Sequence, residues 1–160
     1  MIHVNVRGIV VRENNNQKEI VVQLRKRTGE PECFELPGGR IEEYESVTEA
    51  LRREILEETG LYVTTIQNEK DQIVKKSNTS LFEVQCIKPY AVYQTLFGPI
   101  DSFGLYFLCA ADGEFIDVGD DTEKAHWATI AEIKNYIKFN KFSDIDKPAM
   151  LMYLNDLQSL

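Results

Sequence analysis

The sequence predicts an α+β fold, a mostly β body with one helix early in the chain and two late. Three observations carry that expectation. Ile2, Val4 and Val6 alternate with His3, Asn5 and Arg7, the period-2 pattern of a half-buried strand. Stretches rich in Val, Ile, Phe and Tyr recur near 61–66, 81–87, 90–97 and 103–109, as strands do. Helix-start signals stand at Ser46, Thr129 and Asp146.

The elements follow in order. The first strand runs to about Val11, Glu13 to Lys18 (ENNNQK) is a polar turn, and EIVVQL from Glu19 is the returning strand. Thr28 to Glu32 is a loop, and Phe34 to Leu36 is a very short strand before Pro37-Gly38-Gly39. Ser46 offers an N-cap hydroxyl, Glu49 three residues later completes a capping box, and Gly60 closes the helix as a left-handed C′ residue. Asp112-Gly113 and Gly119-Asp120-Asp121 mark turns. Thr129 with Glu132 forms a second capping box, with Ile130, Ile133 and Ile137 on one helical face. Asp146-Lys147-Pro148 opens the last helix, whose apolar face holds Met150, Leu151, Leu154 and Leu157. With no repeat, low-complexity tract or linker, residues 1–160 are expected to form one domain.

Composition narrows the function. The chain is 43% hydrophobic and 28% charged, ordinary for a soluble globular protein, and 160 residues suffice for a full core. A net charge of −8 argues against binding a nucleic-acid polymer, which needs basic surface, but leaves small phosphorylated ligands open because a metal supplies positive charge locally. Cys33, Cys86 and Cys109 are widely spaced and odd in number, and His3 and His126 lie far apart, so neither a zinc site nor a disulfide framework is expected. Reduced thiols, no signal peptide in MIHVNVRGIVV and no apolar run of membrane-spanning length together predict a cytoplasmic protein with no membrane partner.

The densest chemical signal runs from Gly39 to Leu61 (GRIEEYESVTEALRREILEETGL). On a helix over 46–59, Val47, Ala50, Leu51 and Ile55 form the stripe that faces the protein body. Glu54 and Glu58 fall inside that stripe and Glu57 on its flank, while Leu56 takes the opposite side. A solvated Glu-rich helix would reverse this arrangement. Residues three and four apart are neighbours, so Glu54, Glu57 and Glu58 make a compact acidic triangle whose repulsion opposes folding unless a cation neutralises it. An oxygen-only ligand set favours Mg²⁺, Mn²⁺ or Ca²⁺ over zinc, and Mg²⁺ is the usual partner of diphosphates.

These residues resemble the Nudix box, G-x5-E-x7-R-E-U-x-E-E-x-G-U with U bulky and apolar. Gly39, Glu45, Arg53, Glu54, Ile55, Glu57, Glu58, Gly60 and Leu61 fill its nine defined positions. Tyr44 stands where many members carry glycine. The resemblance implies an α/β/α sandwich with a mixed central sheet and Mg²⁺-dependent hydrolysis, with Mn²⁺ able to substitute, of a nucleoside diphosphate linked to another group. It implies that Glu54, Glu57 and Glu58 ligate the metal with the Gly38 carbonyl as a further ligand. Arg53 would hold a catalytic carboxylate by charge-assisted hydrogen bonds, and Glu45 would assist through a water or an outer contact. A homodimer is a further family-level expectation.

Outside the box, Glu123 in DDTEKAHW is the candidate for a base or extra ligand from a later loop, with Asp120 and Asp121 as competitors and an acidic solvated turn as the plain alternative. His126 is a base by type, with an ordinary strand-end role as its alternative. Arg25, Arg27 and Arg40 are candidates to bind phosphates. Phe34, Tyr90, Tyr93, Phe97, Phe103 and Tyr106 are candidates to stack on a ring, with core packing expected for most, and Phe34 is retained as substrate-binding. Cys33 and Cys109 read as buried apolar fillers. Two functions from different classes remain: a pyrophosphohydrolase acting on a modified nucleoside triphosphate, a nucleotide-sugar or similar, and a catalytically silent nucleotide-binding sensor with the same fold. A calcium-binding structural helix lacks the D-x-D-x-D-G loop it would need.

Overall fold

Both faces of the central strands are apolar, so both must be covered. In the computed structural model, which describes residues 1–119 and 122–159, β1 spans His3–Asn14 and β2 Gln17–Arg25. Val6, Val10 and Val21 point to one face and Ile9, Ile20 and Val22 to the other, all fully buried. The first face is closed by α1 (Val47–Thr59), through Ala50, Leu51 and Ile55. The second is closed by α2 (Ile130–Lys138) and α3 (Lys147–Gln158), through Ile133, Ala149, Met150, Tyr153 and Leu154. Burial of each large side chain such as Ile55 or Met150 contributes about 1.5–3 kcal/mol. The result is the α/β/α sandwich.

The sheet is mixed. Besides β1 and β2 it contains β3 (Cys33–Glu35), β4 (Gly38–Arg40), β5 (Tyr62–Ile66), β8 (Ala91–Gln94), β9 (Ser102–Asp112), β10 (Val118–Gly119) and β11 (Thr122–Thr129). Its order is β10-β11-β2-β1-β9-β5, with β3 beside β2, β4 beside β1 and β8 beside β9. Strands β1 and β9 run parallel; the other strand pairings among the described residues are antiparallel. Two short strands, β6 (Ile73–Lys76) and β7 (Glu83–Cys86), form a separate exposed hairpin.

One irregularity positions the site. Strands β1 and β2 pair only from Val11↔Ile20 to Asn14↔Gln17 and then diverge. Beyond the fork β4 takes the edge of β1 (Val6↔Gly39, Arg7↔Gly38), while β3 takes the edge of β2 (Gln23↔Glu35). The β3–β4 connection therefore crosses the mouth of the fork, with Gly38 above β1 and Gln23 on β2.

Several expectations are corrected. The first hairpin is longer than expected, because Asn15 and Asn16 (φ 51° and 62°) make a two-residue turn that suits the strand twist. Glu13 and Lys18 thus become a cross-strand ion pair at 3.2 Å rather than turn residues. At Ser46 the hydroxyl accepts from the Glu49 N–H, whereas the reciprocal capping box closes at Thr129 and Glu132. On α3, Leu151 is exposed and Tyr153 takes its place in the core. Asp146 makes no side-chain cap; its carboxylate is buried elsewhere. Strand β4 falls where a loop was expected, and β6 and β11 add strands beyond those expected from the sequence. Cys109 is buried as expected, its thiol pushed up to about 12 by burial, but Cys33 is only half-buried. No helix among the described residues is long and apolar enough to cross a membrane.

Candidate active site

Helix α1 is fixed at both ends. Ser46 Oγ accepts from the Glu49 N–H at 3.2 Å, and Gly60, left-handed at φ 85°, donates its N–H to the Leu56 carbonyl. The apolar stripe anchors to the sheet as expected, and Leu56 faces solvent. Registry then carries Arg53, Glu54, Glu57 and Glu58 to the edge facing β4.

Arg53 organises that edge. Its Nε and Nη2 donate to the two carboxylate oxygens of Glu45 at 2.7 and 2.9 Å. Nη1 donates to Glu54 Oε1 at 2.8 Å and to Glu57 Oε2 at 3.4 Å, and Nη2 also donates to the Arg40 carbonyl at 3.1 Å. All five guanidinium protons have an acceptor, which a lysine cannot reproduce. The Arg53 bonds hold the Glu45 carboxyl below its ordinary value. Glu45 is also pinned by the Glu42 N–H at 3.0 Å, in a turn that places Tyr44 at φ 58°. That left-handed position accounts for the glycine many Nudix-type boxes carry there.

Glu58 is held from the sheet side. Its Oε2 accepts the Gly38 N–H at 3.0 Å and the Gln23 Nε2 at 2.7 Å. Burial outweighs these bonds and pushes its carboxyl up to about 8. Glu54 lies against Gly39, where an added Cβ would sit 2.3 Å from Glu54 Oε2. Burial holds the Glu54 carboxyl above its ordinary value, against the pull of Arg53. Glu57 is the most open of the three, its side chain 47% exposed.

The compact triangle expected from helical spacing is not gathered. Among the described residues no three His, Cys, Asp or Glu side chains stand close enough together to hold a metal ion. Glu54 and Glu57 bond to Arg53, and Glu58 bonds to the sheet. The donor set nonetheless fits a hard divalent cation. Glu54 Oε2, Glu57 Oε1 and Glu58 Oε1 make no hydrogen bond among the described residues, and the missing Cβ at Gly39 leaves the Glu54 carboxylate its room.

Behind Glu58 lies a buried polar network that the sequence reading missed. Asp146 accepts the Leu36 N–H at 2.9 Å and the Tyr106 hydroxyl at 2.6 Å, with Arg7 Nε at 3.5 Å. Glu35 has Gln23 Nε2 at 3.4 Å and stands 3.7 Å from Arg25 and 3.9 Å from Arg7. Burial lowers the Arg7 guanidinium but Asp146 and Glu35 overcome it, leaving it above its ordinary value; burial holds Glu35 up. The available signal was Gln23 itself, a polar residue inside the apolar run IVVQL.

The remaining candidates scatter. Arg40 adjoins the site: its carbonyl binds Arg53 and its guanidinium contacts the His3 ring. Arg27 is exposed on the loop after β2, and Arg25 pairs with Glu30 at 3.0 Å. Phe34 stacks on Tyr136 (centroids 4.3 Å apart) and meets the edge of His126, so its ring is taken up in packing. Glu123 lies on β11 rather than in a loop, and pairs with Lys26 at 3.0 Å. His126 uses both ring nitrogens, toward the Lys124 carbonyl and the Tyr136 hydroxyl. Asp120 and Asp121 lie outside the described residues.

Comparison with known proteins gives the family and the fold. The NUDIX domain family model matches residues 1–147. An 8-oxo-dGTP diphosphatase of Buchnera aphidicola is 36% identical over 56 residues, which are 35% of this chain and 41% of the relative, so the match spans less than half of that protein. The NUDIX domain of Shewanella oneidensis NrtR, solved with ADP ribose, superimposes with a TM-score of 0.67 at 12% identity, over 99% of this chain and 89% of the other. A bifunctional NMN adenylyltransferase/ADP ribose pyrophosphatase of Francisella tularensis, solved with AMP and a manganese ion, gives a TM-score of 0.64 at 19% identity, over 98% of this chain and 42% of that one. At these identities the two structures speak for the fold.

Proposed function

Because the chain belongs to the NUDIX domain family, we propose that it is a divalent-metal-dependent pyrophosphohydrolase, working with Mg²⁺ and accepting Mn²⁺. It cleaves the P–O–P bridge of a nucleoside diphosphate linked to another group. The observation that carries this reading is the five-bond Arg53 clamp beside three carboxylates that each keep an oxygen unbonded among the described residues.

Glu54, Glu57 and Glu58 would hold the cation, with the Gly38 carbonyl as a further ligand. Bound there, a divalent cation neutralises diphosphate charge and makes water a better nucleophile. The chain's own residues do the rest. Arg53 holds Glu54 in place through Oε1, leaving Oε2 to face the reaction. Glu45, held low by Arg53, stays charged and keeps the guanidinium aimed. Arg40, whose carbonyl binds Arg53, and Arg27 would serve as phosphate contacts. Phe34 is assigned to packing, and Glu123 to its ion pair with Lys26.

The test is phosphate or nucleoside monophosphate release from a panel containing 8-oxo-dGTP, ADP-ribose, a nucleotide-sugar and ordinary nucleoside triphosphates, with Mg²⁺ and again with EDTA. Turnover that requires Mg²⁺ and is lost in Glu57→Gln supports the reading. Tight binding of a panel member without turnover would leave the silent-sensor reading in its place.

A further inference from the structure

We propose that Gln23 is a positioning residue that fixes the Glu58 carboxylate so that one of its oxygens faces a bound cation. This rests on the metal reading of the box carboxylates given above.

Gln23 is fully buried, and a buried amide costs stability unless it is hydrogen-bonded. Its own needs are only half met: among the described residues Oε1 has no partner, while Nε2 reaches Glu58 Oε2 at 2.7 Å and Glu35 Oε1 at 3.4 Å. Two carboxylate acceptors on one side leave a single sensible orientation for the amide, with its NH₂ toward them. Glu35 is set by Arg7 and Arg25 from the other side, so the amide cannot swing without losing both acceptors.

The consequence lies at Glu58. Gln23 Nε2 and the Gly38 N–H converge on the same oxygen, Oε2. A carboxylate gripped at one oxygen by two donors from two different strands keeps its plane and its rotamer. Its second oxygen is then presented with no competitor among the described residues. Glu54 receives the same treatment from Arg53, through Oε1. Each ligand thus has an organic partner on one oxygen and the other left for metal. Partners of this kind are worth about tenfold or more in metal affinity.

The test measures Mn²⁺ binding by electron paramagnetic resonance on wild type, Gln23→Met, Gln23→Asn and Glu57→Gln, with thermal unfolding in EDTA alongside. Methionine matches the length without a donor; asparagine keeps the amide but is one methylene too short. Both are expected to weaken Mn²⁺ about tenfold while the unfolding temperature without metal shifts by only a few degrees. Either variant binding Mn²⁺ within about twofold of wild type overturns the proposal, provided Glu57→Gln loses it. Equal binding by wild type and Glu57→Gln instead removes the metal reading, and this inference with it. A wild-type measurement keeps the test independent of variant folding. The Gln23 side-chain amide resonances should shift as Mg²⁺ saturates the protein, and their indifference to Mg²⁺ would overturn the proposal.

Discussion

Substituting alanine at Gly39 probes how tightly the site depends on the seat of Glu54. The added Cβ would lie 2.3 Å from Glu54 Oε2 and 2.4 Å from its Cδ, where ordinary contact begins at 3.4 Å. The carboxylate must therefore retreat by about 1.1 Å (3.4 − 2.3). That retreat breaks the 2.8 Å bond to Arg53 and moves a proposed metal ligand off its seat. Misplacement by about 1 Å costs on the order of a hundredfold in rate, or about 2.7 kcal/mol of barrier. Stability should change by less than about 1 kcal/mol, since the obstructing atoms end a flexible side chain and Gly39 needs no positive φ. Gly38→Ala is the contrast. Its φ is 152° and its Cβ would meet the Val6 carbonyl at 2.2 Å and the Arg7 Cα at 2.6 Å, so the β1–β4 pairing itself must give way. Turnover of the best panel substrate, with thermal unfolding, separates the two. Gly39→Ala should unfold like wild type with kcat down about a hundredfold, and Gly38→Ala should lose several degrees or fail to fold. Wild-type kcat in a folded Gly39→Ala would refute the placement of Glu54 in the reaction.

Other outcomes follow from the same geometry. Arg53→Lys cannot serve Glu45 and Glu54 together, so kcat should fall at least about tenfold with a loss of about 1–2 kcal/mol in chemical denaturation; unchanged kinetics would deny the clamp its role. Tyr44→Gly should raise stability by up to about 1 kcal/mol by relieving the left-handed Tyr44, and a drop would show that its exposed ring contributes something unseen. Glu58 ionises near 4.5 in the unfolded chain and about 8 in the folded one, because burial disfavours its charge. A raised folded value gives stability that is complete below 4.5 and lost as pH rises to about 8, so the metal-free protein should melt lower across that window. Glu58→Gln should flatten the slope. Glu123→Gln should keep kcat within about threefold and stability within about 0.5 kcal/mol; a hundredfold loss would reinstate Glu123 as a base.

Periodicity exposed the architecture where one rule acted alone. The stripe Ala50, Leu51, Ile55 and the caps at Ser46 and Gly60 placed α1 to within one residue, because spacing and terminal chemistry agree there. The fork between β1 and β2 was invisible, since it depends on β4 inserting beside β1, and Gly38–Arg40 has no strand propensity of its own. The same non-local step hid Gln23, Glu35, Arg7 and Asp146, which meet across separations of up to 139 residues (146 − 7). Helical spacing drew attention to Glu54, Glu57 and Glu58, and the resemblance pointed to Arg53 as a carboxylate's partner, but neither reached the partners of Glu58. The donors to Glu58 sit on β2 and at Gly38, where only the folded sheet brings them near.

Crystals soaked in Mn²⁺ and read by anomalous scattering give the most direct test of the metal site. The account predicts a peak bound by Glu54, Glu57 and Glu58 beside Gly38, with Glu58 Oε2 still on Gln23 and Oε1 on the ion. A peak elsewhere, no peak at saturating Mn²⁺, or an ion bound with Glu58 released from Gln23 would contradict it.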